Sequence, residues 1–332
     1  MILAKTALAA FVLSALLTRA MIPWLTGQGV LANENERTMH QGQVPKGGGL
    51  ALLIAAVGAA ALCGPWFDLD PIVLAGAAIL ALLSWFDDAK PLPVTIRLPV
   101  HLGVAALFVL NLPTGAFVFQ GWLPLVADRI ITIIALGWMM NLYNFMDGIN
   151  GIAGVETIAI TCGYLMLGLV TAPHGYEPLA AALLGASAGF LIWNLRTKPL
   201  VFLGDAGSVP LGFLMGALMI DLAVKGQWAA AIILPAYFLA DATITLLFRL
   251  ARGEKAWVAH KTHFYQRAAA ALGSHLAVVR LIALADVLLV LWAITSSQGE
   301  PWFALANSLA VLALLLFVFS QLRPSQDLRP RT

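Results

Sequence analysis

Apolar runs of about 15 to 22 residues recur along the chain, separated by short polar connectors. A bilayer core of ~30 Å takes about 20 residues of helix to cross, so this pattern predicts an all-α, polytopic transmembrane helical bundle of about 10–11 spans. The predicted spans are Ile2–Ile22, Gly47–Gly64, Ile72–Phe86, Leu98–Leu112, Ile130–Phe145, Ile152–Thr171, Leu179–Leu195, Val209–Leu222, Trp228–Leu250, Leu276–Ile294 and Trp302–Leu322. The third to fifth are short for a bilayer. Thr114–Ala127, with Gln120-Gly121-Trp122, reads as an interfacial connector with room for a re-entrant piece. The first span lacks a convincing cleavage site and carries Arg19 at its far end, so it reads as a retained helix with its N-terminus outside. Connectors this short leave no room for a soluble domain. The expectation is one integral membrane domain over residues 1–332, with 249–275 as a cytoplasmic substrate-binding loop within it.

Composition sharpens this picture. The chain is 61% hydrophobic and 11% charged, against roughly 25% charged in soluble domains. Net charge is only +2, yet it is lopsided: alternating the connectors puts all but three of the 19 Lys and Arg residues on one side. Lys5, Arg129 and Lys225 are the exceptions. By the positive-inside rule the rich side is cytoplasmic, including Arg37 and the C-terminal Arg323, Arg329 and Arg331. Cys63 and Cys162 fall in apolar spans and read as small buried hydrophobes.

The same partition sorts the chemistry. Asp87-Asp88 ends an apolar run; adjacent carboxylates repel, so keeping both ionised calls for a cation. Arg97, ten residues after Asp87, is placed to return and grip a phosphate. Val44-Pro45-Lys46-Gly47-Gly48-Gly49 opens a span: its glycines allow close backbone approach and its helix N-terminus offers N–H groups to an anion. The plain alternative is a flexible helix start with a lysine obeying the charge rule. Asn141, Asn144 and Asp147 are spaced by three and share a helix side before Gly148 and Gly151, a polar strip suited to a hard cation. Interhelical hydrogen bonding by asparagines, about 0.6 kcal/mol each, is the competing reading. Asp205, in Phe202-Leu203-Gly204-Asp205-Ala206-Gly207-Ser208, precedes a span whose N-cap is expected to be Ser208; a carboxylate there suits Mg²⁺, or forms an Asx turn. The loop from Arg249 to His275 carries Arg252, Lys255, His260, Lys261, His263, Tyr265 and Arg267. Cations with aromatics suit a ligand bearing phosphates and rings, or a membrane surface. The His260–His263 spacing has no cysteine or third ligand beside it, which argues against zinc. A secondary transporter or flippase for an anionic substrate is the alternative class; it wants ionisable groups near the midplane and on both faces, and here the acids crowd one face.

Taken together, Asp87-Asp88, Asn144…Asp147-Gly148…Asn150-Gly151, Phe202-Leu203-Gly204-Asp205 and the basic histidine loop resemble the polyprenyl-phosphate N-acetylhexosamine-1-phosphate transferase superfamily, in the family's order. The resemblance implies a multi-pass protein of the bacterial inner membrane with its active site facing the cytoplasm. It implies Asn144 and Asp205 as ligands of Mg²⁺, or of Mn²⁺ in its place. Asp87 and Asp88 lie beside the metal and the lipid phosphate, with Asp147 in the same catalytic set. Arg97 matches a cation that binds the lipid phosphate, Lys46 and Asn150 match positions near the nucleotide, and His260, His263 and Arg267 face the pyrophosphate. The implied partners are polyprenyl phosphate, a UDP-N-acetylhexosamine and the membrane, with no nucleic acid and with a homodimer left open. Two features depart from the family. The pentapeptide translocases carry consecutive histidines, whereas here the string is His260-Lys261-Thr262-His263, which looks more like enzymes that start O-antigen-like surface glycans. The Pro-Lys-Gly-Gly-Gly start also differs from common family forms.

The expected reaction is attack of a polyprenyl phosphate oxygen on the sugar-bearing phosphorus, releasing UMP. One phosphoanhydride breaks and one forms, which fits the absence of a P-loop motif. A phosphate monoester's second pKa is about 6, so the nucleophile is largely ionised at neutral pH. An aspartate base then adds little, and metal placement is the favoured role for at least one of Asp87 and Asp88.

Overall fold

Long runs of Ala, Leu, Val and Ile have no water to bond to in hydrocarbon and satisfy their backbone groups internally as helices. The computed structural model describes residues 1–29, 31–32, 44–63, 70–255 and 260–322. Within them, ten of the eleven predicted runs form single helices: α1 (Ile2–Gly27), α2 (Gly48–Cys63), α3 (Pro71–Ala89), α4 (Val94–Leu110), α5 (Leu125–Met146), α6 (Ile152–Val170), α7 (Glu177–Asn194), α8 (Asp205–Val224), α12 (His275–Ser296) and α13 (Pro301–Gln321). Seven helices are long and apolar enough to cross a membrane, and α2 and α4 are shorter apolar helices. The protein is an all-α polytopic membrane bundle. Arg37, Gly64, residues 65–68 and 256–259, and the C-terminal arginines lie outside the described residues.

Several boundaries differ from expectation: α1 runs on to Gly27 past Ile22 and α5 starts at Leu125 before Ile130, and three further differences bear on the site. The ninth run, Trp228–Leu250, divides into α9 (Trp228–Ile233) and α10 (Ala236–Ala251). Pro235 stands at the break, where it supplies no N–H and its ring crowds the preceding turn. α4 begins at Val94, directly after Pro93 and ahead of the expected Leu98, and Arg97, expected at the start of this span, sits in its first turn. α8 begins at Asp205 with Gly204 as its N-cap, so Ser208 lies inside the helix. The basic loop also holds a short helix, α11 (Phe264–Leu272), closed by Gly273 in the left-handed region at φ 61°.

The core is built around α8, which is buried along almost its whole length. α3, α5, α2, α6 and α9 pack on it, while α1 lies against α7 and α2, and α12 pairs with α13. Small residues permit the closest crossings. A Cβ on Gly49 of α2 would overlap the Cα of Gly207 on α8, and the converse holds. Before α2, β1 (Leu31–Ala32) pairs antiparallel with β2 (Val44–Pro45).

Alternating connectors gather at opposite ends of the bundle. At one end Asn150 Nδ2 donates to the Arg196 carbonyl and Tyr265 Oη donates to the Phe145 carbonyl. At the other end Tyr176 Oη donates to Asp70 and Gln120 Nε2 donates to the Ala223 carbonyl. This is the two-sided sorting read from the connectors.

Candidate active site

The site forms where α3 ends and α8 begins, because these two helices run antiparallel. The Phe202–Gly204 segment is strapped to the start of α2: Phe202 N donates to the Pro45 carbonyl at 2.9 Å, Gly48 N to the Phe202 carbonyl at 2.9 Å, and Gly49 N to the Leu203 carbonyl at 3.0 Å. This corrects the anion-cradle reading of Gly47-Gly48-Gly49. The N–H groups of Gly48 and Gly49 are spent on backbone carbonyls, and Gly49 serves helix crossing. The strap fixes Asp205 at the first turn of α8.

Asn144 reaches Asp205 across the α5–α8 contact. Its Nδ2 donates to Asp205 Oδ1 at 2.8 Å and to Ser208 Oγ at 3.0 Å. Thus Ser208 joins the site from within α8 and does not cap it. The amide lies one turn before the end of α5, where the spacing of polar residues put it.

The adjacent acids divide their work. Asp87 Oδ2 accepts from Arg97 Nη1 at 2.7 Å and its Oδ1 accepts from Leu92 N at 2.6 Å. Asp88 turns toward α8: its Oδ2 accepts from Ala206 N at 3.1 Å, and Lys46 Nζ lies 3.6 Å from its Oδ1. Its side chain is almost wholly enclosed. A carboxylate at a helix N-terminus is favoured by the helix dipole, so Asp88 secures the helix that carries Asp205. A Cβ on Gly204 would stand 2.8 Å from Asp88 Oδ2, so only glycine fits beneath it.

Asp147 follows α5 as its C-cap. Loss of water around its carboxyl, then repulsion from Asp205 and Asp88, push its pKa well above the ordinary carboxylate range. That crowding of acids marks the place where a cation would relieve repulsion.

A pocket opens between α3, α4, α5 and α8. Its lining combines the polar Asp87, Arg97, His101, Asn141, Asn144 and Asp205 with the apolar Leu83, Val94, Leu98, Phe145 and Val209. Five residues singled out in the sequence therefore share it: Asp87, Arg97, Asn141, Asn144 and Asp205. Asn150 is tied elsewhere, its amide on the Arg196 carbonyl at 3.1 Å and its N–H toward His275 Nδ1 at 3.4 Å, and it locks the α5–α6 turn to the neighbouring connectors.

The histidine loop is held by a residue that the sequence reading passed over. Asp241 of α10 is fully buried. It accepts from Phe264 N and Tyr265 N at 3.0 Å each, faces His263 Nδ1 at 3.1 Å, and receives the hydroxyls of Tyr237 and Thr245. It thereby caps α11 and fixes the ring of His263, which is buried and stacked with His260 at 4.8 Å between centroids. Tyr265 Oη then docks on the Phe145 carbonyl, setting α11 beside the turn that carries Asp147. Arg267 stays exposed, its guanidinium 5.8 Å from the Phe264 ring. The visible signal for Asp241 was a lone acid inside an apolar run.

The donor set fits magnesium. Asn144, Asp205 and Ser208 offer hard oxygens within hydrogen-bond reach of one another, and turning the Asn144 amide over presents its oxygen to the same space. Among the described residues no group of three or more His, Cys, Asp or Glu is arranged to hold a metal. Mg²⁺ characteristically takes one or two carboxylates and completes its shell with water and phosphate oxygens, which such a sparse site allows.

Residues 71–223, which carry this whole cluster except Lys46 and the histidine loop, match the model of glycosyl transferase family 4. The chain belongs to that family. It is 25% identical over 313 residues to the probable undecaprenyl-phosphate N-acetylglucosaminyl 1-phosphate transferase of Bacillus subtilis (strain 168), covering 89% of this chain and 83% of that protein. It is 30% identical over 252 residues to the phospho-N-acetylmuramoyl-pentapeptide-transferase of Gloeothece citriformis (strain PCC 7424), covering 68% of this chain and 65% of that protein. It is 26% identical over 200 residues to the undecaprenyl-phosphate alpha-N-acetylglucosaminyl 1-phosphate transferase of Escherichia coli (strain K12), covering 56% and 53%. These relatives share the transfer of a phosphosugar as a named activity, and this chain is a multi-pass membrane glycosyl transferase of their kind.

Proposed function

We propose that the protein transfers an N-acetylhexosamine-1-phosphate from a UDP-sugar to undecaprenyl phosphate at the cytoplasmic face of a bacterial inner membrane, starting an O-antigen-like surface glycan. The observation that carries this reading is the shared pocket: Asn144 and Asp205 stand 2.8 Å apart beside the Asp87–Arg97 pair, and hydrocarbon side chains line the same pocket. A substrate that is phosphate at one end and prenyl at the other matches a lining of both kinds.

In this mechanism an oxygen of the lipid phosphate attacks the phosphorus that bears the sugar. The new P–O bond forms as the bond to the bridging oxygen breaks, and UMP leaves with the electron pair. Arg97 holds the acceptor phosphate, and its five N–H donors leave several free while one is spent on Asp87. Asp87 orients Arg97; with both carboxylate oxygens engaged, it is poorly placed as a base. Asp88 and Lys46 keep the α8 N-terminus in register. His260, His263 and Arg267, on the loop anchored by Asp241, face the donor's pyrophosphate. Mg²⁺ held by Asn144 and Asp205 supplies charge neutralisation for the phosphoryl oxygens.

The test is direct. Purified protein with radiolabelled UDP-N-acetylglucosamine, undecaprenyl phosphate and Mg²⁺ is expected to yield butanol-extractable label and an equal amount of UMP. A panel of other UDP-N-acetylhexosamines fixes the donor. No lipid-linked label with any of them overturns the reading.

A further inference from the structure

His101 lies four residues after Arg97 on α4, so the two side chains share a helix face. Both line the same pocket. The imidazole is 5% exposed, and its Nδ1 is buried without a hydrogen-bond partner. A buried polar atom left unpaired is costly, so an unpaired ring nitrogen on a residue that lines a pocket marks a place where a ligand could complete the bonding. The walls state the ligand's chemistry. Arg97 calls for an anion, and Leu98, Phe145 and Val209 call for hydrocarbon next to it. His101 lies one helical turn, about 6 Å, further along α4 from its N-terminus than Arg97, beside the apolar part of the lining that Leu98 begins.

We propose that His101 is a second acceptor-binding residue, which donates a hydrogen bond to the phosphate of a prenyl monophosphate at the side bearing the prenyl ester. Arg97 takes the terminal phosphoryl oxygens, and His101 sets the depth at which the headgroup stops. This rests on the reaction proposed above, with the assignment of His101 as its new content.

The test separates the two. With donor saturating, His101→Ala in the full-length protein is expected to raise KM for undecaprenyl phosphate about tenfold or more. kcat should stay within about threefold, with KM for the UDP-sugar unchanged. His101→Gln, which keeps an N–H donor, is expected to stay near wild type. Direct binding supplies an arm independent of turnover: the wild-type protein is expected to bind farnesyl phosphate, not farnesol, and His101→Ala to weaken that binding about tenfold. An unchanged acceptor KM in His101→Ala overturns the proposal. So does an equal loss in His101→Gln, which would point to ring packing. Should the wild-type protein make no product with any UDP-sugar, the reaction fails; farnesyl phosphate binding then still decides the role of His101, and its absence overturns that as well.

Discussion

The two ends of the bundle are both rich in polar side chains, and they differ in what those side chains do. At the far end most of the groups satisfy one another, the ring of His174 excepted. Tyr176 Oη donates to Asp70 at 2.9 Å, Tyr164 Oη donates to Asp221 at 2.6 Å, and Lys225 pairs with Asp221 at 3.0 Å. Glu177 accepts from the backbone N–H groups of His174 and Gly175. At the site end, Asp87, Arg97, His101, Asn144 and Asp205 also touch neighbours, yet each keeps a face on a pocket. Polar residues crowded together therefore do not make a site. A site needs polar atoms that also line a pocket which something from outside can enter.

The sharpest way to break this contrast is to remove one donor of the proposed metal pair. Asp205→Asn and Asn144→Ala are each expected to lower turnover on the order of 10²–10³-fold, with thermal unfolding close to wild type; activity within tenfold of wild type would show that the pair is structural. Asp87→Asn tests the positioning role. It is expected to lose about tenfold or more in kcat/KM for the acceptor, since the Arg97 ion pair weakens, and raising the pH should not restore it; recovery at high pH would instead reveal a base. Asp241→Ala removes the carboxylate that caps α11 and is expected to destabilise the protein by about 3–5 kcal/mol, the usual cost of breaking a buried charged network. A melting temperature like the wild type's would show that the histidine loop is held by other contacts.

Smaller effects sharpen the comparison from the far end. Tyr176→Phe removes one hydrogen bond to Asp70 and is expected to cost about 1 kcal/mol with turnover unchanged; a large loss of turnover would tie the two ends together. The smallest effect concerns His174. Its ring is tilted against that of Tyr164 at 5.2 Å between centroids, and both ring nitrogens are buried without partners. Burial lowers its pKa below the ordinary 6.5, with Lys225 adding to this and Asp221 and Glu177 opposing it. The folded form thus binds fewer protons than the unfolded chain. The resulting stability is present above pH 6.5 and is lost as pH falls below it. His174→Phe is expected to flatten melting temperature against pH in that range, and an unchanged slope would remove His174 as its source.

What could be read from the chain alone was whatever depends on local pattern. Runs of apolar residues marked the helices, since each helix satisfies its own backbone. Alternation of connectors separated the two ends, since a span must exit opposite to where it entered. The spacing of Asn144 and Asp147, and the isolation of Asp205 after glycine, were visible because a polar group at the end of an apolar run is costly without a purpose. Contacts between helices were not legible. That Asp88 turns to α8 while Asp87 faces the pocket follows from the antiparallel placement of α3 and α8. That Gly49 meets Gly207 requires two segments far apart in sequence to cross. Asp241 and His101 were passed over because a lone ionisable residue in an apolar run looks the same whether it faces lipid, a partner or a cavity. Only the packed bundle supplies the neighbours that decide which, and so the site's composition belongs to tertiary structure while its existence was already written in the periodicity.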